Sequence, residues 1–409
     1  MNILAREPHL SYPGWLMVAM ACLANVITFG LMYSFSVFFK PVSSEFGWSR
    51  ASTALAFSLF GITHDGFAFV GGSLTDKFGP KLTTAMGGFC IAASFGLMSS
   101  IQSIWEFYLY YGLIFGLGVA AIYGPMMSTV SRWFTVKRGL AMGLAASGSS
   151  LGTLVLSPLA AWLISSYGWR AAYFTVGALA LIIFIPVTLV IKKAPDRLLG
   201  AEIDRKTAEG FSFLEALKTK SLWIFSFSWL FIALALFAIM VHIVPFLTDK
   251  GISLTTAGLL AGLIGGGGII GRISAGFLSD KLGRKRVLLI SFVFQLIMSI
   301  WLLFSGKIWM FFVFALLYGA SFGGWVGVVT SFPADYFGLK ATGAILGFTL
   351  ILAGIGGSIG SYIGGYIFDI TDSYDYAVAI SAMAIIISIL LAIHLKPPAK
   401  AGWDTLAGA

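Results

Sequence analysis

The chain has 409 residues, of which 58% are hydrophobic and 11% are charged, and its formal charge is +9 at pH 7. Because soluble domains are on average about 25% charged, this composition nearly excludes a water-soluble fold. A positive charge can indicate a nucleic-acid partner, but the basic residues here follow the loops between apolar segments, and we expect no nucleic-acid binding.

Twelve apolar segments of helical length follow one another along the chain. Each is long enough to cross a hydrocarbon core of about 30 Å as an α-helix. In chain order they cover residues 14–39, 48–73, 81–101, 104–130, 138–165, 169–191, 221–248, 255–277, 287–305, 308–332, 342–368 and 376–395. The sequence therefore predicts an all-α membrane protein with twelve transmembrane helices in a lipid bilayer.

One long polar stretch, residues 192–220, separates the sixth and seventh segments. Within it, Ser212 and Glu215 have the spacing of a capping box, which predicts a short surface helix. We therefore predict three parts, which are an N-terminal six-helix bundle, a cytoplasmic linker and a C-terminal six-helix bundle, at residues 1–191, 192–220 and 221–409.

The Lys and Arg residues are distributed unevenly between the loops. Five of the 26 follow odd-numbered segments, namely Lys40, Arg50, Arg170, Lys250 and Lys307. Apart from Arg272, which lies inside a segment, the others are near the termini or in loops after even-numbered segments. By the positive-inside rule, both termini are predicted to be cytoplasmic, in a plasma or inner membrane.

The two halves of the sequence repeat. A loop motif that follows the second segment recurs 204 residues later, after the eighth segment. A second echo relates residues 132–139 to residues 335–340 at almost the same offset. The two copies of the loop motif are Gly72, Asp76, Lys77, Gly79 and Lys81, and Gly276, Asp280, Lys281, Gly283 and Arg284. Two related halves can rock about a site held between them, which suits alternating access.

At these motifs the chain resembles the major facilitator superfamily, and the resemblance covers almost the whole chain. Within that superfamily it is similar to the monocarboxylate transporter and oxalate:formate antiporter group, on residues 33–39, residues 116–124 and Arg272. Pro80 departs from the loop motif, where a basic residue is usual. The resemblance implies two pseudo-symmetric six-helix bundles and a gating role for Asp76 and Asp280, each facing the positive end of a helix from the other half. The alternative for these residues is a solvated turn.

Arg272 is the strongest single indication of a binding site. An ionisable residue inside a membrane span is costly, and it normally faces the protein interior or a water-filled cavity. Its guanidinium stays charged and can hold a carboxylate with two parallel hydrogen bonds. The alternatives are an arginine that extends towards the cytoplasmic surface, or one that pairs structurally with an acid.

The resemblance narrows the substrate. Oxalate carriers of this group have a second cation, a lysine, on helix eleven, whereas residues 343–365 here contain no Lys, Arg or His. One cation suggests one carboxylate, as in lactate or pyruvate. We therefore predict proton-coupled transport of a small monocarboxylate, with a carboxylate antiporter of the oxalate:formate type as the alternative.

Asp65 and the adjacent His64 are predicted to carry the coupled proton. They lie near the bilayer middle in the second segment, and the 204-residue offset places Arg272 at the position equivalent to residue 68, one turn from Asp65. Pseudo-symmetry could bring Asp65 and Arg272 close across the cavity, and the sequence leaves open whether they meet. A desolvated carboxylate there would have a raised pKa and could protonate as substrate binds. The alternatives are a fixed counter-ion for Asp65 and a bystander role for His64. Members of the monocarboxylate group have an acid on helix eight, one turn before the arginine. That acid has no counterpart here, because the position is Gly268.

Five further residues are candidates for substrate binding. Tyr33 and Tyr123 resemble phenols that contact carboxylate in the antiporter branch. His242 lies on helix seven, where it could bind substrate, relay a proton or serve only packing. Asn25 and Trp325 are candidate cavity residues, with packing as the alternative.

The sequence does not indicate an enzyme. The four His residues and the few acids within the spans do not form a nucleophile–base pair or a metal cluster at recognisable spacing. We expect no catalytic residue, no metal and no cofactor, with H⁺ as the coupling ion and a monomer as the functional unit. A sensor, or a carrier of drugs or sugars, is a further alternative on this fold, but Arg272 disfavours cationic drugs by charge repulsion.

Overall fold

The computed structural model describes residues 12–134, 137–194 and 210–398. In these ranges the chain folds into helices, and the only β-type pairing is an isolated bridge between Gly210 and Gly338. Eleven helices are long and apolar enough to cross a membrane. The longest of them contains a non-helical residue, Gly168, with φ of 82°, and therefore comprises two spans.

The described residues thus form the twelve predicted spans, and the all-α membrane fold is confirmed. The spans are α1 Tyr12–Phe46, α2 Arg50–Phe78, α3 Pro80–Met98, α4 Ile104–Trp133, α5 and α6 within Arg138–Val190 on either side of Gly168, α7 Lys220–Asp249, α8 Leu254–Leu282, α9 Arg284–Leu303, α10 Ile308–Phe337, α11 Thr342–Thr371 and α12 Asp375–His394.

Prolines account for interruptions inside three of these spans. The helix of α4 breaks at residues 121–122, that of α7 at 241–242 and that of α10 at 330–331. In each case a proline follows within four residues, at Pro125, Pro245 and Pro333. Proline has no N–H group and its ring clashes with the carbonyl one turn before it, so the regular hydrogen bonding stops there.

The loop motif has the same geometry in both copies. Gly79 ends α2 with φ of 83°, and Gly283 ends α8 with φ of 81°, a conformation that other residues rarely adopt. Each glycine donates its backbone N–H to the carbonyl four residues earlier. Pro80, which departs from the motif, is the first residue of α3, where proline is favoured because that N–H has no helical partner.

The linker is described only in part, because residues 195–209 lie outside the described ranges. A short helix lies at Phe213–Leu217, where Ser212 and Glu215 form a capping box. The bridge between Gly210 and Gly338 fixes this end of the linker to the loop between α10 and α11.

The first six and the last six spans meet along two seams. Along one seam, α2 packs against α11, and Gly61 lies beside Ser358. Along the other, α8 packs against α5, and a Cβ atom at Gly258 or Gly265 would lie 2.3 Å from Ala161 or 2.5 Å from Ser150. Such close backbone approach is typical of small-residue packing between membrane helices.

The structure is closed on one membrane face. We call the face with the loops after odd-numbered spans the odd-loop face, and the opposite one the even-loop face. On the odd-loop face, Lys40 of α1 pairs with Asp249 of α7 at 2.5 Å, and the Val244 N–H donates to Ser36 Oγ at 3.0 Å. On the even-loop face, the described ion pairs stay within one half, as in Asp76 with Arg132 at 2.7 Å.

The Asp76 part of the predicted latch is therefore not engaged in this structure. Asp76 pairs with Arg132 of its own half instead of a helix from the other half. In the second half, Arg284 pairs with Asp335, also within that half. The remaining motif residues lie where predicted, at the even-loop ends of α2 and α8 and the starts of α3 and α9, namely Gly72, Lys77, Lys81, Gly276, Asp280 and Lys281. Their gating role stays a prediction.

Candidate functional site

Arg272 lies on α8 and reaches across a seam to the other half of the chain. Its Nη1 donates to the backbone carbonyl of Ala146 at 3.0 Å and to Ser149 Oγ at 2.7 Å, both on α5. Within the described part of the chain, no carboxylate lies at salt-bridge distance from this guanidinium. Neutral oxygens therefore hold the cation, and its positive charge is available to an anion.

A cavity opens beside the guanidinium. Its volume is about 10 Å³, which is room for about one water molecule, so a carboxylate would enter only when the helices around it move apart. Hydroxyl groups and Arg272 line one part of it, and apolar side chains line the rest. The lining residues are Tyr33, Ser149, Ser150, Thr153, Met240, Ile264, Gly265, Arg272 and Phe322. A charged and hydroxyl-bearing part next to an apolar part suits a small amphipathic anion.

Both predicted tyrosines lie near the cation. Tyr33 of α1 and Tyr123 of α4 are within electrostatic range of the Arg272 guanidinium. Aromatic neighbours hold their rings edge-to-face, with centroids 6.4 Å apart for Tyr33 and Phe322, and 5.1 Å apart for Tyr123 and Phe29. Tyr123 is the first residue after the break in α4. The structure thus places Tyr33 and Tyr123 near Arg272, and their contact with substrate stays a prediction.

Glycines set the position of Arg272. A Cβ atom at Gly271 would lie 1.9 Å from the Ala320 carbonyl oxygen, so α8 and α10 touch through their backbones. At Gly268, a Cβ atom would lie 2.9 Å from Ser150 Oγ. A side chain at this position would therefore have to displace the Ser150 hydroxyl of α5.

Asn25 and Trp325 lie outside the cavity lining. The Asn25 side chain donates to the carbonyl of Ala145 at 3.0 Å, one residue before the carbonyl that accepts from Arg272. Trp325 Nε1 donates to Gln295 Oε1 of α9 at 2.7 Å. Both side chains are buried. These contacts join α1 to α5 and α10 to α9, and the predicted contact of Asn25 and Trp325 with substrate stays a prediction.

His242 lies near the odd-loop face and is likewise not among the cavity residues. Its ring has 2% exposure, and its Nε2 and Nδ1 lie 2.8 Å from the Ser361 carbonyl oxygen and 3.3 Å from the Tyr374 hydroxyl. A carbonyl only accepts, so Nε2 carries the hydrogen and Nδ1 accepts from Tyr374. This neutral ring connects α7, α11 and the start of α12.

Asp65 and His64 lie on the other seam. His64 Nδ1 is 3.0 Å from Asp65 Oδ1, and the His64 ring stacks on Phe60. The Asp65 carboxylate packs directly against α11, since a Cβ atom at Gly354 would lie 2.0 Å from its Oδ2. The structure does not bring Asp65 and Arg272 together, because one is on the α2–α11 seam and the other on the α5–α8 seam.

The sequence analysis did not identify two groups of residues that the structure brings together. The first is the set of hydroxyls on α5, Ser149, Ser150 and Thr153, whose only signal is the i, i+4 spacing of Ser149 and Thr153. The second is a charge cluster on the odd-loop face, formed by Lys40, Arg50, Asp249 and Asp369. The sequence indicated this cluster only through the position of its charges. The two cations lie where α1 ends and α2 begins, and the two acids lie near the ends of α7 and α11 on the same face.

The charge cluster includes a buried phenol. Tyr374 lies between α11 and α12, and burial raises the pKa of its hydroxyl. The nearby Arg50 guanidinium opposes this rise because it favours the phenolate. Arg50 is therefore in electrostatic contact with the second half of the chain as well as being part of the first.

Two repeated six-span halves, two seams and a buried cation beside a small cavity define a secondary transporter. Comparison with protein families gives the same class: the description Major Facilitator Superfamily fits residues 21–282 and 231–406. The chain belongs to the major facilitator superfamily and is a multi-pass membrane transporter.

Individual relatives agree with this assignment. The chain is 29% identical to monocarboxylate transporter 13 of Bos taurus over 381 residues, which cover 90% of this chain and 86% of that one. It is 30% identical to the oxalate:formate antiporter of Oxalobacter formigenes over 285 residues, covering 68% and 66%. A crystal structure of a bacterial homologue of the human lysosomal transporter Spinster matches with a TM-score of 0.71 at 14% identity, covering 94% and 95%, which shows the shared fold.

Proposed function

We propose that this transporter carries small monocarboxylates, similar to lactate or pyruvate, together with protons and by alternating access. The proposal rests mainly on Arg272, a cation held by neutral oxygens beside a cavity at the seam between the halves. Similarity to monocarboxylate transporter 13 and to the oxalate:formate antiporter supports a carboxylate substrate. Because Arg272 is the only cation among the cavity residues described, one carboxylate fits better than two.

The geometry suggests how substrate would bind. A carboxylate at the guanidinium would compete with Ala146 and Ser149 for the Arg272 hydrogen bonds, and the phenols of Tyr33 and Tyr123 could donate to it. The short organic tail would lie against Met240, Ile264 and Phe322. Since Ala146 and Ser149 belong to the other half, substrate binding would alter the contact between the halves. This is the link that alternating access requires.

We place the even-loop face in the cytoplasm, because most of the Lys and Arg residues lie there. The odd-loop face would then be extracellular, and the structure would represent a state closed to the outside. The predicted latch of Asp76 and Asp280 would engage in the opposite state, when the halves approach on the cytoplasmic face.

Proton coupling would act at Asp65 and His64 without direct contact with Arg272. Asp65 lies in the α2–α11 seam, and a charged carboxylate is costly to desolvate between packed helices. Protonation would lower the cost of closing that seam, while substrate binding changes the other one. A rocking motion must rearrange both seams, so the two events would be coupled through the motion.

Uptake of radiolabelled L-lactate into proteoliposomes with an imposed inward proton gradient tests this function. We expect accumulation that requires the gradient. Exchange against internal carboxylate without net uptake would instead indicate the antiporter, and the absence of both would refute the substrate class.

We expect Asp65→Asn to abolish gradient-driven accumulation while lactate exchange between the two sides continues. The neutral amide keeps the shape of the side chain but cannot carry a proton through the cycle. Glu45→Gln is a matched control, because Glu45 pairs with Arg170 at 2.5 Å within the first half on the odd-loop face. Full accumulation by Asp65→Asn would place the coupled proton elsewhere.

A further inference from the structure

The Asp249 carboxylate on the odd-loop face lies between two cations of the other half. Lys40 Nζ is 2.5 Å from its Oδ1, and Arg50 Nη2 is 3.3 Å and 3.1 Å from its Oδ1 and Oδ2. A carboxylate shared between an ammonium and a guanidinium is the arrangement that proteins use to bind carboxylate ligands. Here the ligand is part of the chain itself.

The surroundings of Arg50 suit the binding of a carboxylate. Its side chain is 14% exposed, and its guanidinium carbon lies 4.5 Å from the centre of the Phe368 ring, 5.7 Å from that of Tyr374 and 5.9 Å from that of Phe39. Nη1 of Arg50 is buried and makes no well-formed hydrogen bond among the described residues, although the Tyr374 hydroxyl lies close enough to interact with the guanidinium. A buried donor without a well-formed hydrogen bond is costly, and it can gain a bond when a ligand replaces the present contacts.

The charges of this cluster are separated by half. Lys40 and Arg50 belong to the first half, and Asp249 belongs to the second. A second acid of the second half, Asp369, accepts the backbone N–H groups of Arg50 and Ala51 at 2.8 Å each, and so caps the start of α2 across the seam. If this face opens, all these contacts must part, and two cations on this face are left without their carboxylate.

We propose that Lys40 and Arg50 form a second, outer carboxylate site, which Asp249 occupies while the odd-loop face is closed and which the transported anion occupies when the face opens. This inference rests on the proposed transport of monocarboxylates. Substrate and Asp249 then compete for the same two cations. The incoming anion stabilises the open state, and Asp249 displaces the anion towards Arg272 as the face closes.

Two variants that break the same ion pair distinguish a binding site from a simple lock. Arg50→Gln removes a cation of the site, so the KM for L-lactate at the odd-loop face is expected to rise about tenfold, as for the loss of one charge-assisted hydrogen bond. Asp249→Asn removes the competing carboxylate and leaves both cations, so the same KM is expected to fall. If these ion pairs only held the odd-loop face closed, both variants would favour the open state and change KM in the same direction.

Sealed membrane vesicles of both orientations allow KM to be measured separately at each face. Lys40→Gln is a second variant on the cation side and is expected to raise the odd-loop KM as Arg50→Gln does. Arg170→Gln is the control, since Arg170 is a cation of the same face that pairs with Glu45 of its own half, and its KM is expected to be unchanged. The proposal of an outer site would be overturned if KM shifted equally at both faces, or if Arg50→Gln and Asp249→Asn changed the odd-loop KM in the same direction. Saturable lactate transport that persists at the even-loop face would show that the proposed function itself still holds.

Discussion

Arg272→Ala is expected to abolish binding and uptake of the carboxylate while the protein still inserts and folds. Removing one partner of a buried charged pair costs about 2 to 5 kcal/mol, which corresponds to a loss in affinity of about 30-fold to several thousand-fold. Folding is expected to survive because, among the described residues, Arg272 donates hydrogen bonds to the neutral oxygens of Ala146 and Ser149, so its removal leaves no opposite charge unpaired. The substrate anion would then have to enter the same cavity without a positive charge.

The measurement combines L-lactate uptake with the thermal stabilisation that lactate gives to the purified protein. Arg272→Lys keeps the charge but loses the planar fork, so weak binding is expected to remain. Ser149→Ala removes only one of the two neutral acceptors and is expected to change affinity by a few-fold at most. Normal lactate binding by Arg272→Ala would mean that the arginine has a structural role and that another group binds the anion.

The spans could be predicted because their signals are local. An apolar run of sufficient length forms a membrane helix irrespective of its partners, since every backbone polar group must be satisfied within the segment. The repeat of the loop motif was equally local, and Gly79 and Gly283 show why it repeats: both helices end at a residue that needs a positive φ. Bounds were less accurate, as in α1, which continues to Phe46 instead of ending at residue 39.

The cavity was only partly predictable because it is assembled from different helices. Arg272 could be recognised because a charge within an apolar span is costly by itself. Ser149 and Thr153 could not, since hydroxyls are common in membrane helices and usually bond to their own backbone, as Thr153 also does with Ser149. Their contribution depends on which helix packs against α5.

Pseudo-symmetry relates Arg272 to a position near Asp65 in the sequence, but it does not place the two residues close together in space. The 204-residue offset relates Arg272 to a position one turn from Asp65. A symmetry axis, however, carries a residue on one seam to the equivalent place on the other seam. Arg272 accordingly contacts α5, whereas Asp65 contacts Gly354 of α11, and the offset relates Gly354 to Ser150 in the arginine's cavity. Equivalent positions in the two halves are thus placed apart by the symmetry that relates them.

Gly271→Ala is expected to destabilise the second half of the protein and to reduce transport strongly, although it adds only one methyl group. The added Cβ would lie 1.9 Å from the Ala320 carbonyl oxygen, and neither helix backbone can yield as a side chain would. The contact is reciprocal, because a Cβ at Gly323 would lie 2.1 Å from the Gly268 carbonyl oxygen. Overpacking of this kind costs about 1 to 3 kcal/mol.

The loss of transport follows from the position of the neighbouring residue. Separating α8 from α10 shifts Arg272 relative to Ser149, and a hydrogen bond of 2.7 Å tolerates little displacement. Thermal unfolding in detergent and lactate uptake measure the two effects. Gly347→Ala in α11 is the matched control, because nothing lies within 4 Å of its added methyl group and alanine favours the helix. If Gly271→Ala unfolded at the same temperature as Gly347→Ala, the backbone contact between α8 and α10 would not be what holds Arg272 in place.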